Sequence, residues 1–346
     1  MDQGPQIVES VPLAEHTTLR VGGPARFYCR PATRHELTAA IAWARERELP
    51  VLILGGGSNL LVADDGFPGL VVHLAMHAID VELAGSHAHV RAGAGVVWDE
   101  FVARAVAQGY GGVECLSGIP GLVGATPIQN VGAYGQEVAE TISTVDTIDL
   151  STLTDVRFNG ADCGFGYRDS RFKSADRGRY VVTAVSFTLA VDAKPAIRYR
   201  DLQQYFADRA GDPSLGEVRD AVLEIRRRKA MVLDDADTDT WSAGSFFVNP
   251  VVSSDVSARF PDDAPRFPSP TGVKLSAAWL IENSGFSKGY RQGNVGLSSR
   301  HALAIVNRGG ATASEIVALA RDIRSAVADR FGVTLAPEPV LVGLSL

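Results

Sequence analysis

Five stretches repeat their apolar residues with the period of a helix that buries one face. They are RHELTAAIAWARERELP (34–50), Trp98 to about Gln108, EVRDAVLEIRRRKA (217–230), KLSAAWLIENSG (274–285) and Ala313 to about Phe331. The last is the clearest, with Ile316, Val317, Leu319, Ala320, Ile323 and Val327 on a helical period. Shorter apolar or alternating runs predict strands. These are ARFYCRP (25–31), LPVLILGGG (49–57), LVVHLAMHAIDVEL (70–83) running into IDVELAG (79–85), HAHVRAG (87–93), Tyr180–Val191, HALAIVN (301–307) and VTLAPEPVLVG (333–343). Helices and strands mix without sustained βαβ alternation, so a single doubly wound sheet is not expected. The pattern reads as α+β in three lobes, 1–78, 79–229 and 230–346.

At 346 residues and 46% hydrophobic, the chain can bury two or three cores of about 150 residues or fewer each. No internal repeat is visible, and no apolar run approaches the roughly 18–20 residues of a membrane span. The opening MDQGPQIVESVPLAEH lacks a basic region followed by an apolar core, so no secretory leader is expected. Lysine plus arginine is 33 against 40 acidic residues, a net charge of −7, and no basic stripe points to nucleic acid. The one dense basic run, Arg226-Arg227-Arg228-Lys229, ends a helix; it places cations at a helix C-terminus or lends one member to a phosphate. Cys29, Cys115 and Cys163 are odd in number and widely spaced, which fits neither a disulfide framework nor a zinc knuckle and implies a cytoplasmic protein. His73 and His77 fall in a predicted strand and His87 and His89 alternate along another, so no metal is expected.

Thirty-five glycines are many for such a chain, and two loops gather them. One is Gly55-Gly56-Gly57-Ser58-Asn59, directly after a predicted strand. The other holds Ser117-Gly118-Ile119-Pro120-Gly121, Gly124-Ala125 and Gln129-Asn130-Val131-Gly132-Ala133-Tyr134. Glycine lets backbone N–H groups converge on an anion with no Cβ in the way. Neither loop ends in the Lys-Ser/Thr of a Walker loop, and neither has the G-x-G-x-x-G spacing of a dinucleotide fold. Tight turns explain either loop singly; two loops interleaved with Ser, Asn and Gln donors point to a cofactor.

Seven segments resemble UDP-N-acetylenolpyruvoylglucosamine reductases, flavoenzymes of bacterial peptidoglycan synthesis, and occur in that family's order. They are TTLRVGGPARF (17–27), LGGGSNLLVADDGFPG (54–69), LSGIPGLVGATPIQNVGAYGQEV (116–138), GYRDSRFK (166–173), AGSFFVNP (243–250), AAWLIENSGFSKG (277–289) and HALAIVN (301–307). The resemblance implies a vanillyl-alcohol-oxidase-type FAD-binding fold of two lobes plus a C-terminal α+β substrate-binding lobe. It implies non-covalent FAD on the two glycine loops, NADPH as reductant, the enolpyruvyl ether of UDP-N-acetylglucosamine as substrate, and a monomer. By motif, Arg168 and Glu338 would stabilise the enolate and carboxylate, and Ser245 would give the proton. Tyr134, Tyr199, Lys229 and Asn249 would meet the substrate, Tyr199 from a loop that closes over the diphosphate. Departures from the family pattern are Val248 for a frequent lysine, Ala336 for a frequent acidic residue, Pro339 for a common valine, and His301 where some members have glutamine. Ser245 has no histidine near it in sequence and no nucleophile elbow, which argues against a hydrolase.

Overall fold

The computed structural model describes residues 6–346, which fall into two compact units. The first runs up to Val11 and resumes over Arg26–Gly56 and Pro68–Arg228; the second comprises Pro12–Ala25, Gly57–Phe67 and Lys229–Leu346. Both mix helix and strand, an α+β architecture. Among the described residues no helix is long and apolar enough to cross a membrane, and no cluster of three or more His, Cys, Asp or Glu could hold a metal.

The first unit contains two large sheets and a two-stranded one. In the four-stranded one the order is Val8–Pro12, Pro24–Cys29, Phe67–His73, Val51–Leu54, with Val51 opposite Leu70 in a parallel pair. Helix α1, Arg34–Arg45, is started by Thr33, whose side chain accepts the Glu36 N–H at 3.2 Å. Its Leu37, Ala40, Ile41 and Ala44 are buried in one cluster with Leu70 and Val72. The larger sheet is antiparallel, in the order Asp155–Asn159, Ile142–Asp149, Tyr180–Val191, His87–Gly93, Ile79–Ala84. Helix α2, Trp98–Ala107, packs into it through Trp98 and Phe101, whose rings lie 5.9 and 4.7 Å from Phe187. Helices α3, Arg200–Tyr205, and α4, Leu215–Arg228, follow.

Sequence and structure part in this unit at the crossing between the sheets. LVVHLAMHAIDVEL is not one strand: one ends at His73 and the next begins at Ile79. Leu74 and Met76 are buried in between, and a buried crossing is as apolar as a buried strand. The pairing strands Ile142–Asp149 and Asp155–Asn159 go beyond the predicted elements: Ser, Thr and Asp separate the apolar residues of the first, and the second, DVRFN, offers only Val156 and Phe158.

In the second unit the core gathers Leu19, Leu61, Phe246, Phe247, Leu280, Ile316, Leu319, Ile323, Val327 and Leu335. After the single turn α5, Ser254–Ser257, and the short α6, Ala277–Glu282, the main helix is α7, Ala313–Phe331. Both ends of α7 are written in the sequence. Thr312 and Glu315 form a reciprocal capping box, and Gly332 leaves the helix with φ +65°. Asp64, distant in sequence, adds its carboxylate to the first N–H groups, accepting from Ala313 at 2.7 Å and Ser314 at 3.0 Å. Three predicted elements are shorter than their text. The KLSAAWLIENSG helix is only Ala277–Glu282, because Lys274 and Leu275 belong to the strand Gly272–Leu275 and Ser276 caps the helix. HALAIVN is a strand only over Ile305–Asn307, since Ala304 N–H bonds His301 O at 3.2 Å and closes His301–Ala304 into a turn, which Ser298 N–H ties at Ala304 O at 2.9 Å. VTLAPEPVLVG pairs as a strand only over Val340–Val342, in parallel register with Leu60–Val62, its prolines breaking the ladder before that.

Candidate active site

The glycine loops are built on close backbone approach. In the first unit a Cβ on Gly56 would stand 2.7 Å from the Cα of Gly121, whereas one on Gly55 would meet Ala125 at an ordinary 3.7 Å. Gly124 abuts Ala94, where a Cβ would come within 2.5 Å. The second loop is fixed from below. Trp98 N–H donates to Gly121 O at 3.0 Å, and Gly118 N–H donates to Asp99 Oδ1 at 2.6 Å. Asp99 also receives both Nη groups of Arg219, at 2.6 and 2.8 Å, so α2 and α4 hold the loop through one carboxylate. Ser117, buried, donates to Glu114 O at 2.6 Å. Gly132 and Ala133 form a short ladder with Gln136 and Glu137.

Asn130 is committed to the loop itself. It is buried, its Nδ2 donates to Glu137 Oε2 at 2.7 Å and Gly166 O at 3.0 Å, and its Oδ1 accepts the Ala139 N–H at 3.1 Å. Pro120, Gly121, Ala125 and Gln129 keep exposed surface beside Gly55 and Gly56. Neither loop stretch, 55–59 or 117–133, has an Asp or Glu of its own, and the Asp99 carboxylate at Gly118 is paired with Arg219, a chemistry compatible with an anionic group such as a pyrophosphate.

Arg168 is seated on the same loop. It has φ +53°, a left-handed conformation that costs a non-glycine residue about 1–2 kcal/mol. Gly166 and Asp169 exchange backbone bonds of 3.0 and 3.3 Å around it. Asn130 reaches Gly166 O, and Ser170 Oγ donates to Ile128 O at 2.6 Å, so two bonds press the turn onto the second loop. The neighbouring Asp169 carboxylate accepts from Ser170 N–H and Ser174 Oγ. Strain held this firmly marks a position whose side-chain direction matters.

The basic run divides. Arg228 pairs with Glu224 on the surface, as expected of a helix-end cation. Arg226 turns inward and is buried. Burial pulls its guanidinium below the ordinary value, the Tyr134 phenol and Asp99 favour the charge, and Arg168 opposes it. Spacing could have exposed this: residues 215, 219, 222 and 226 share one face of α4, and Leu215 and Val222 are core. Tyr134 and Tyr199 meet edge to face, centroids 5.5 Å apart. Tyr199 is the N-cap residue of α3 and stays half exposed.

The second unit assembles a different group. Gly57, with φ +59°, lies against the His16 carbonyl, where a Cβ would fall 1.9 Å from the oxygen. Asn59 donates through Nδ2 to Glu338 O at 3.2 Å and accepts the Val340 N–H at 3.0 Å, which ties Glu338 to the exit of the first glycine loop. Phe246 and Phe247 are both driven into the core, each worth about 1.5–3 kcal/mol of burial. They anchor Ser245 just before them. Phe246 N–H bonds Leu303 O and Glu338 N–H bonds Phe246 O, both at 2.8 Å, so segments 245–248, 301–304 and 336–338 are laced together. Gly244 precedes Ser245 with φ +73° and space around it, so conformation rather than packing requires glycine there.

One residue the sequence reading did not connect now stands out: His301 Nε2 lies 3.2 Å from Ser245 Oγ. No histidine is near Ser245 along the chain; the fold brings one to it. The hydrolase reading still fails, because Ser245 stands in a loop rather than on a strand-to-helix elbow. Lys229 begins this unit's last segment, directly after α4. Asn249 accepts the Ala277 N–H at 2.9 Å and so supports the start of α6.

Comparison with known proteins agrees with both units. Residues 25–152 match the FAD binding domain family, and residues 236–342 match the family described as UDP-N-acetylenolpyruvoylglucosamine reductase, C-terminal domain. The UDP-N-acetylenolpyruvoylglucosamine reductase of Thermobifida fusca is 49% identical, covering 97% of this chain and 98% of its own. That of Mycobacterium tuberculosis is 47% identical, covering 99% and 97%. Among solved structures, UDP-N-acetylenolpyruvylglucosamine reductase from Thermus caldophilus aligns with a TM-score of 0.66 at 28% identity, over 98% of each chain.

Proposed function

Since the chain belongs to the UDP-N-acetylenolpyruvoylglucosamine reductase family, we propose that it reduces the enolpyruvyl ether of UDP-N-acetylglucosamine to UDP-N-acetylmuramate in peptidoglycan precursor synthesis. It does so with FAD and NADPH. Bound FAD supplies the hydride, which it takes from NADPH. The residues that would hold it are the backbone of Gly55–Asn59 and the second loop from Ser117 to Ala133, a set with no Asp or Glu of its own, which suits an anionic dinucleotide.

The chain's own residues must do the rest. Addition of hydride to the methylene carbon leaves negative charge on the adjacent carbon and its carboxylate. Arg168 meets that charge with a planar fork that stays protonated, an interaction worth about 3–4 kcal/mol per donor in comparable sites. Ser245 gives a proton to the carbanion carbon, a contribution of roughly 10²–10⁴-fold. Glu338 is the third member, a carboxyl partner to the same substrate carboxylate. Tyr134, Tyr199, Lys229 and Asn249 bind the nucleotide sugar, Tyr199 through its phenol on the diphosphate. With this substrate goes a monomeric, cytoplasmic enzyme.

The observation that most supports this reading is the lacing of Ser245 to Glu338 through Phe246, with both anchored in one core. The test is a two-step stopped-flow experiment. NADPH should bleach the flavin absorbance, and the enolpyruvyl substrate should restore it under anaerobic conditions. In Ser245→Ala the restoration should slow by about 100-fold or more; restoration at the wild-type rate would remove Ser245 from the reaction. Restoration by oxygen alone, with substrate inert, would instead mark an oxidase.

A further inference from the structure

A serine hydroxyl is a weak acid, and once it has given up its proton it is a strong base. A serine that protonates carbon therefore needs a second donor behind it. We propose that His301 is that donor: its imidazolium Nε2–H bonds Ser245 Oγ and reloads it as the serine proton leaves. The inference rests on the reading of Ser245 as the proton donor and adds where its next proton comes from.

The geometry on which this stands is local to the second unit. His301 Nε2 and Ser245 Oγ are 3.2 Å apart, within hydrogen-bonding reach of each other. Neither is free to drift. His301 N–H donates to Ser298 Oγ at 3.2 Å, and Ser298 Oγ donates to the buried carboxylate of Asp239 at 2.8 Å. Asp239 also takes the Ser299 N–H at 2.9 Å and the Arg300 Nε at 3.1 Å, so one carboxylate sets the whole 298–301 turn. On the other side Phe246 N–H holds Leu303 O. The charged groups on the segments woven around the imidazole include Arg300, bonded to Asp237 and Asp239, Arg308 near Asp239, and Glu338, which lies in a bend and whose N–H bonds Phe246 O.

The direction of the bond follows from the chemistry. A neutral imidazole presenting the Nε2 lone pair would take the serine proton and make Ser245 a nucleophile. An imidazolium can only donate. In the proposed step the carbanion electron pair takes the Oγ proton and forms a C–H bond. The Oγ electron pair takes the Nε2 proton, and the N–H electrons stay on the ring, leaving neutral imidazole protonated at Nδ1. A solvent proton then restores the cation. His301 thus acts through Ser245 rather than on the substrate.

Two protons move in this step, and that is measurable. Holoenzyme reduced with one equivalent of NADPH is mixed with the enolpyruvyl substrate in H2O–D2O mixtures, and each variant's rate is taken relative to its own reduction by NADPH. For the wild type, the reoxidation rate should bow below a straight line as deuterium fraction rises. His301→Gln keeps an N–H donor but has no proton to give; it should slow reoxidation about tenfold or more and straighten the plot. His301→Asn should do the same, and flavin content with melting temperature checks that both fold. His301→Gln reoxidising within about twofold of wild type, with the same curvature, would overturn the relay. Ser245→Ala run alongside separates the failures: wild-type reoxidation in that variant would sink Ser245 itself, whereas a slow Ser245→Ala with a fast His301→Gln would sink the relay alone.

Discussion

Replacing Gly56 by alanine puts a methyl carbon 2.7 Å from Gly121 Cα and 3.1 Å from its carbonyl carbon. Carbon atoms prefer about 3.5 Å or more, so the methyl is roughly 0.8 Å too close and its obstacle is backbone, which cannot rotate away. The two loops must separate, and overpacking of this size costs about 1–3 kcal/mol. If both loops contact FAD, that cost falls on binding and should weaken FAD affinity by about 5- to 150-fold. Gly55→Ala is the built-in control, because its methyl meets Ala125 at 3.7 Å, an ordinary contact. The assay is titration of flavin-stripped protein with FAD, followed by quenching of flavin fluorescence, beside the melting temperature of the stripped protein. Equal affinity for wild type and Gly56→Ala would refute the reasoning. So would equal loss in Gly55→Ala and Gly56→Ala, which would mean that any added methyl in the loop is harmful and the approach to Gly121 is incidental.

Asp239 provides a pH test: burial raises its carboxyl pKa, but bonds from Ser299, Ser298 and Arg300 outweigh that and hold it below the usual carboxylate range. A value lower in the folded than in the unfolded state stabilises fully above about pH 4 and is lost as pH falls through the folded value. The stability gap between wild type and Asp239→Asn should therefore be constant from about pH 8 to 5 and shrink below about pH 4; a gap that widens on acidification would contradict the assignment. Burial pushes the Cys29 and Cys115 thiols up to about 12 and Cys163 to about 11, so a thiol reagent at about pH 8 should label none in the native protein and all after denaturation. Rapid native labelling would show that those cores open. Tyr199→Phe keeps the ring against Tyr134 and removes only the hydroxyl; it should raise KM about tenfold, near 1.4 kcal/mol, without lowering Tm, and an unchanged KM would detach Tyr199 from the substrate.

How much of this was legible in the sequence depends on whether the cause is local. Helix α7 was readable to both ends because its capping box, its apolar face and its terminal glycine all lie within the helix text. The Tyr180–Val191 strand was readable for the same reason. The crossing at 74–78 was not, since burial alone cannot separate a strand from a connection. HALAIVN was overread because a turn closed by His301 and Ala304 uses no turn-forming residue within the run.

The site divides along the same line. The glycine loops announced themselves by composition, but what requires glycine at 56 is Gly121, which no local reading supplies. Arg226 looked like a helix-end cation because it sits among three other basic residues; its burial is set by which face of α4 meets the core. His301 and Ser245 are 56 residues apart, and the only trace of their pairing was an unusual residue at 301. Asn130 shows the reverse case: the motif marked it, and the structure spends its amide on holding Gly166 and Glu137.

Consider finally the parallel pairing of Leu60–Val62 with Val340–Val342, reinforced where Asn59 grips Glu338 across 279 residues of sequence. Such a contact is among the most non-local a chain of this length can make, and closing so long a loop carries a large entropic cost before any contact repays it. During synthesis Leu60–Val62 emerges well before its partner and must wait, its edge unpaired, until residues 340–342 have left the ribosome. A nascent chain arrested before residue 333 should remain open to proteases at residues 57–67, where the completed protein is closed. The Glu338 carboxylate would then be the last of the three proposed catalytic residues to arrive, after Arg168 and Ser245, so a chain stopped before it would lack one of the three.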